Sequence, residues 1–74
     1  MIKKSLIRAG TYKHYKGGLY KVISIAKHTE TGEDMVVYRS LDKERQLWVR
    51  PLEIFREKVK VEGKLIPRFE RTGN

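Results

Sequence analysis

Short runs of β-branched and aromatic residues make up most of this 74-residue chain, with turn signals between them at intervals of about 8–12 residues. Gly10 precedes Thr11-Tyr12-Lys13-His14-Tyr15, and Lys16-Gly17-Gly18 closes that run. Leu19 to His28 follows, then Glu30-Thr31-Gly32-Glu33, which reads as a hairpin turn with Gly32 free to take positive φ. Met35-Val36-Val37-Tyr38-Arg39-Ser40-Leu41 is the strongest predicted strand. The charged tetrad Asp42-Lys43-Glu44-Arg45 turns it into Gln46-Leu47-Trp48-Val49-Arg50. Along Leu19 to Ala26, strict alternation puts Leu19, Ile23 and Ile25 on one face with Lys21. It puts Tyr20, Val22 and Ala26 on the other face with Ser24. Apolar residues on both faces predict a strand at the centre of a sheet, or one whose second face binds something.

The pattern changes once. Pro51 suits the start of a helix, and Leu52, Phe55 and Val59 recur at i, i+3 and i+7, predicting a turn or two of helix near 51–57. Alternation then resumes with Val59 and Val61 against Lys58 and Lys60, and Glu62-Gly63 turns the chain into Leu65-Ile66-Pro67-Arg68-Phe69. Pro67 places that run at a sheet edge. The expectation is a mainly all-β domain: a small SH3-like barrel or roll of about five strands, with one short helix. Its parts are an N-terminal segment (1–8), the barrel (9–70) and a frayed C-terminus (71–74).

Size and composition narrow the classes. Seventy-four residues leave room for one domain. With no Cys, neither a disulfide nor a thiolate metal site can staple it. The longest apolar runs are too short to cross a bilayer. The basic start, Met1 to Arg8, lacks the apolar stretch of a signal peptide, so a cytoplasmic monomer is expected. The net charge is +8 and unevenly placed. Residues 1–27 hold seven cations (Lys3, Lys4, Arg8, Lys13, Lys16, Lys21 and Lys27) and no acid, whereas the rest holds ten cations against nine acids. A one-signed segment attracts polyanions, although spread-out charge also serves solubility.

Four spaced stretches together carry a resemblance. They are Tyr12-Lys13-His14-Tyr15-Lys16-Gly17-Gly18-Leu19-Tyr20, Ala26-Lys27-His28-Thr29-Glu30-Thr31, Val36-Val37-Tyr38-Arg39 and Leu47-Trp48-Val49-Arg50-Pro51-Leu52-Glu53-Ile54-Phe55. In that order they resemble a small bacterial family classed as a domain of unknown function, with the signature HYKGxxY, AxHxE, VVY, WVRPLxxF. The resemblance runs from about Gly10 to Phe69. It implies an SH3-like barrel and no particular activity, so it carries over motif positions and no functional residues.

Three constellations bear on chemistry. Cations interleave with aromatics: Tyr12, Tyr15, Tyr20, Tyr38 and Trp48 accompany Lys13, Lys16, Lys21, Arg39 and Arg50. Rings that stack bases beside cations that hold the backbone describe single-strand nucleic-acid binding on small barrels, and the same rings can line a peptide groove. Against that, several of the rings are needed to fill a core that has only two Phe. Trp48 suits the core or its rim, with Arg50 as a stacking partner. His14, His28 and Glu30 form the second group. If an antiparallel pairing joined them they would suit Zn²⁺, or a His-based or metal-dependent hydrolase, but no nucleophile motif or carboxylate pair accompanies them. Lys16-Gly17-Gly18 is the third; it lacks phosphate-loop spacing and reads better as a tight turn. The expectation is a binding module with no cofactor, engaging nucleic acid or a protein or peptide; the alternative is a small metal-dependent or His-based hydrolase using His14, His28 and Glu30. The module's candidate surface is Tyr12, His14, Tyr15, Lys16, Lys21, His28, Glu30, Tyr38, Arg39, Trp48 and Arg50.

Overall fold

The structure, a computed structural model, describes residues 7–42 and 44–73. Most of the basic start expected as an N-terminal segment (Met1 to Leu6), together with Lys43 and Asn74, lies outside the described residues. Seven strands and one helical turn follow in order: β1 (Gly10–His14), β2 (Leu19–Lys27), β3 (Asp34–Ser40), β4 (Leu47–Pro51), α1 (Leu52–Phe55), β5 (Lys58–Val61), β6 (Lys64–Pro67) and β7 (Phe69–Gly73). Five of them make one antiparallel sheet in the order β4-β3-β2-β1-β7, and β5 and β6 form a separate hairpin. The mainly β class holds, with five strands in the principal sheet and two more in the hairpin. The sheet does not close into a barrel. Among the described residues, β4 and β7 stand at its opposite edges with no ladder between them.

Each turn has a local cause. At the β1–β2 turn, the Gly17 amide donates to the His14 carbonyl at 2.8 Å and the His14 amide donates to the Gly18 carbonyl at 3.0 Å. Thus Lys16-Gly17-Gly18 is a tight turn, as its composition suggests. The β2–β3 turn closes with the His28 amide on the Glu33 carbonyl at 2.8 Å. Asp42 organises the β3–β4 turn. Its Oδ1 accepts from the Ser40 hydroxyl at 3.1 Å and from the Glu44 amide at 3.0 Å. Glu62 and Gly63 both take positive φ (51° and 81°), the conformation a two-residue hairpin demands, and join β5 to β6. Pro67 sits in a strand with a single ladder partner, where its missing N–H costs nothing.

β2 is the central strand, as its two-faced apolarity predicts, but its faces are not those of strict alternation. The β2–β3 register slips between Val22 and Ser24. Tyr20 and Val22 oppose Ser40 and Tyr38, whereas beyond the slip Ile25 opposes Val36. The extra residue, Ile23, shifts the period by one and leaves its own side chain exposed. Tyr20, Val22 and Ile25 therefore share the inner face, and a bulge is invisible to a period-two reading.

The inner face carries the core. Tyr12, Val22, Val36, Tyr38 and Phe69 come from the sheet, Leu52 and Phe55 from α1, and Ile7 from the segment before β1. α1 is a single turn, so Val59 falls on β5 rather than on a longer helix. Phe55, 1% exposed, is the hub. Its ring stacks parallel on Phe69 at 4.1 Å and meets Tyr12 and Tyr38 edge-on at 5.5 and 5.3 Å. Residues 71–73, expected to fray, belong to β7, whereas Asn74 lies outside the described residues. Phe69–Gly73 pairs with β1, setting Phe69 opposite His14 and Arg71 opposite Tyr12.

Candidate functional site

α1 covers only part of the inner face. Where it stops, a cavity of about 190 Å³ opens, lined by His14, Tyr20, Tyr38, Trp48, Arg50 and Phe69. All five strands of the sheet contribute to it: Trp48 and Arg50 on β4, Tyr38 on β3, Tyr20 on β2, His14 on β1 and Phe69 on β7. The register explains the convergence. Trp48 opposes Tyr38, Arg50 opposes Val36 and Phe69 opposes His14, so these side chains stand on the core side of the sheet. Tyr20 meets Tyr38 and Phe69 edge-on at 5.5 and 5.7 Å, and His14 meets Phe69 edge-on at 4.8 Å. The cavity walls are therefore continuous with the aromatic core and are held by it.

Arg50 is the charged element. Its Nε donates to the Tyr38 hydroxyl at 3.2 Å, and its guanidinium carbon lies 5.5 Å from the centre of the Phe69 ring. It thus stacks on Phe69, not on Trp48 as adjacency in sequence suggests. Among the described residues no carboxylate lines the cavity. Arg68 stands close enough to act on His14 electrostatically, and its Nη2 is paired with Glu57 at 2.8 Å. His14 reports the resulting field. Its pKa is lowered from 6.5, first by burial and then by the positive charges of Arg50, Arg68 and Lys16. Its Nδ1 accepts the Lys16 amide at 3.1 Å, so the neutral ring carries its proton on Nε2.

Trp48 is 52% exposed, half in solvent rather than in the core. It lies on an edge strand whose neighbours Leu47 and Val49 are also exposed. The Ser40 amide donates to the Gln46 carbonyl at 2.9 Å, so by ladder alternation the backbone groups of Leu47 and Val49 point away from β3.

The other expected site residues distribute differently. Tyr12 is 6% exposed, with its hydroxyl donating to the Arg8 carbonyl at 2.6 Å and burial pushing its pKa up; it is a core residue. Tyr38 is 3% exposed, yet it still forms a cavity wall. Tyr15 is half-buried beside His14, with the Lys16 ammonium 5.8 Å from its ring centre. Lys21 and Arg39 oppose one another on the outer face of the sheet, away from the cavity. His28 and Glu30 lie at the far end of β2 from His14. Eight residue steps at roughly 3.3 Å each set them about 26 Å apart along the strand. The His28 ring accepts the Glu30 amide at 3.1 Å, a local turn contact. His14, His28 and Glu30 therefore do not assemble, and no group of three metal-ligating side chains occurs among the described residues. Phe69 is the pocket residue that sequence reasoning misses, while Tyr20 belongs to the aromatic series though not to the expected surface. Phe69 sits after a proline in a short run, and only the pairing of β7 with β1 brings it opposite His14.

The fold and cavity define a small, strand-rich domain with an aromatic, electropositive pocket on one sheet face. A family model described as "Protein of unknown function (DUF1653)" matches residues 10–71, and the chain belongs to that family. The crystal structure of a DUF1653 protein from Bordetella bronchiseptica is 36% identical to it. The match covers 90% of this chain and 88% of that one, with a TM-score of 0.82. No curated protein matches the chain. No helix among the described residues is long and apolar enough to cross a membrane.

Proposed function

We propose that this chain is a non-catalytic binding module for single-stranded nucleic acid, working as a cytoplasmic monomer and holding its ligand on the Trp48–Arg50 pocket. One observation carries the reading. A half-exposed indole and a guanidinium with no carboxylate beside it in the pocket share one sheet face, next to a histidine on which Arg50, Arg68 and Lys16 all act. An exposed ring offers a π-face to any base, and cations around it attract the phosphodiester backbone. The hydrolase alternative has lost its constellation, because His14 stands apart from His28 and Glu30.

The test is an amide NMR titration with short single-stranded RNA and DNA at low and physiological salt. Shifts at His14, Lys16, Tyr20, Trp48 and Arg50 that weaken steeply with salt support the reading. Lys21 and Arg39 should stay still, since they face the other way. A second reading has its own observation, the exposed edge of β4 with outward backbone groups at Leu47 and Val49. An extended peptide could add a strand there. Shifts confined to residues 46–50, with weak salt dependence and a peptide library as the source, would favour it.

A further inference from the structure

We propose that the pocket is a self-sufficient nucleotide subsite, taking one phosphorylated nucleoside with its base against Trp48 and its phosphate on Arg50. This rests on the nucleic-acid reading and narrows it: the unit recognised is a single nucleotide, free or within a strand.

Three independent features converge. First, the guanidinium is preset. Tyr38 holds Nε, Phe69 lies under the ion, and among the described residues no acceptor engages the two terminal nitrogens. A planar fork held in that way matches phosphate oxygens, and in a half-buried aromatic setting with no lining carboxylate it needs an anion from outside. Second, Trp48 precedes Arg50 by two residues on the same strand face, so ring and fork lie side by side. Base and phosphate in a nucleotide are likewise separated by one sugar. Third, the cavity is limited to about 190 Å³ and walled by rings from every strand of the sheet, which suits one planar group rather than a folded chain. The opposite wall adds His14, whose Nε2–H is a neutral donor. A larger depression of about 420 Å³ lies beyond His14, but Lys13 and Glu70 both line it, and their mixed charge does not select an anion.

The experiment uses the full chain, whose single Trp makes its fluorescence a direct reporter of the site. Adenosine monophosphate, adenosine, inorganic phosphate and an eight-nucleotide single strand are titrated separately. Adenosine monophosphate should quench Trp48 and shift His14 and Arg50, with adenosine and inorganic phosphate each at least tenfold weaker. Arg50→Gln should weaken the monophosphate tenfold or more. Trp48→Leu, read by NMR, should weaken it while leaving inorganic phosphate unchanged. Retained amide dispersion in both variants excludes misfolding as the cause. Strand binding without monophosphate binding overturns the subsite and leaves the nucleic-acid reading standing. No binding of any probe overturns both. Inorganic phosphate binding as tightly as the monophosphate, or Arg50→Gln binding as the parent does, also overturns the proposal.

Discussion

Arg50 donates its Nε–H to the hydroxyl of Tyr38 at 3.2 Å, from the neighbouring strand and two ladder positions away on the same face. The tyrosine ring is buried in the core, so the hydroxyl is a fixed point, and the guanidinium inherits that rigidity. Tyr38→Phe removes the acceptor without changing the packing of the ring. The fold should survive with a loss of about 0.5–1.5 kcal/mol. Ligand affinity should fall severalfold, because the fork must then be ordered on binding. Urea denaturation alongside a fluorescence titration separates the two effects.

Trp48 and Phe55 make a contrasting pair. Trp48 is half exposed at a sheet edge, and Trp48→Ala should move stability by less than about 1 kcal/mol. It should reduce single-strand affinity by about 1–3 kcal/mol, the worth of one stacked base. Phe55 touches three core rings and is shut away from solvent. Phe55→Ala should cost about 3–5 kcal/mol of stability, enough to unfold much of a domain this small. Thermal denaturation followed by circular dichroism distinguishes these outcomes directly.

These contrasts show what the sequence could and could not say. The hairpins were legible because Glu30-Thr31-Gly32-Glu33 and Glu62-Gly63 carry their own turn chemistry. The single helical turn was legible from Pro51, Leu52 and Phe55. The faces of β2 were not, because one extra residue at Ile23 inverts the alternation and no local signal marks it. Composition also left open whether Trp48 and Tyr12 stand in the core or at the surface, and the fold sets Trp48 at the rim and Tyr12 in the core. Both are aromatic residues in strands, and strand order alone decided that β4 is an edge and β1 is interior. The pairing of Phe69 with His14 joins residues 55 positions apart, and local composition cannot report it.

His14 links pH to both stability and binding. Its pKa is lowered from 6.5 in the folded state, so between that lowered value and 6.5 the unfolded chain holds more protons. Stability therefore rises with pH across this window and is lost as pH falls below about 6.5, until both states are protonated. A bound phosphodiester offsets the repulsion from Arg50, Arg68 and Lys16 and should raise the His14 pKa. Single-strand affinity should accordingly increase on acidification through the same window. The His14 Cε1 proton, titrated by NMR with and without ligand, measures both shifts. His14→Gln should flatten both pH dependences.

Gly10 is where β1 makes room for the C-terminal strand. Its φ is 139°, and an added Cβ would press into the Gly73 carbonyl and the Arg71 side chain. Gly10→Ala should therefore destabilise by roughly 1–3 kcal/mol, through strain and clash together. The damage should centre on the β1–β7 ladder, which positions Phe69 opposite His14. Faster amide exchange in residues 69–73 than in β2 and β3, with weakened ligand binding, is the expected result. Uniform loss of protection across the sheet would mean that β7 does not open separately.

Charge position gives the sharpest comparison, because Lys16 and Lys21 carry the same charge only five residues apart. Lys16 follows His14 at the pocket's turn and acts electrostatically on its ring, whereas Lys21 opposes Arg39 on the outer face. A model in which net charge alone draws the ligand predicts equal losses when either is neutralised. Pocket binding predicts an asymmetry. Lys16→Gln should lower single-strand affinity and reduce the slope of log K against log salt by about 0.7, one phosphate contact on a single strand. Lys21→Gln should change neither by a comparable amount, and it should slightly stabilise the fold by relieving the pairing of two cations across β2 and β3. Affinity measured at four or five salt concentrations for the parent and both variants decides it. Equal slopes for the two variants would place the ligand elsewhere than on the inner face.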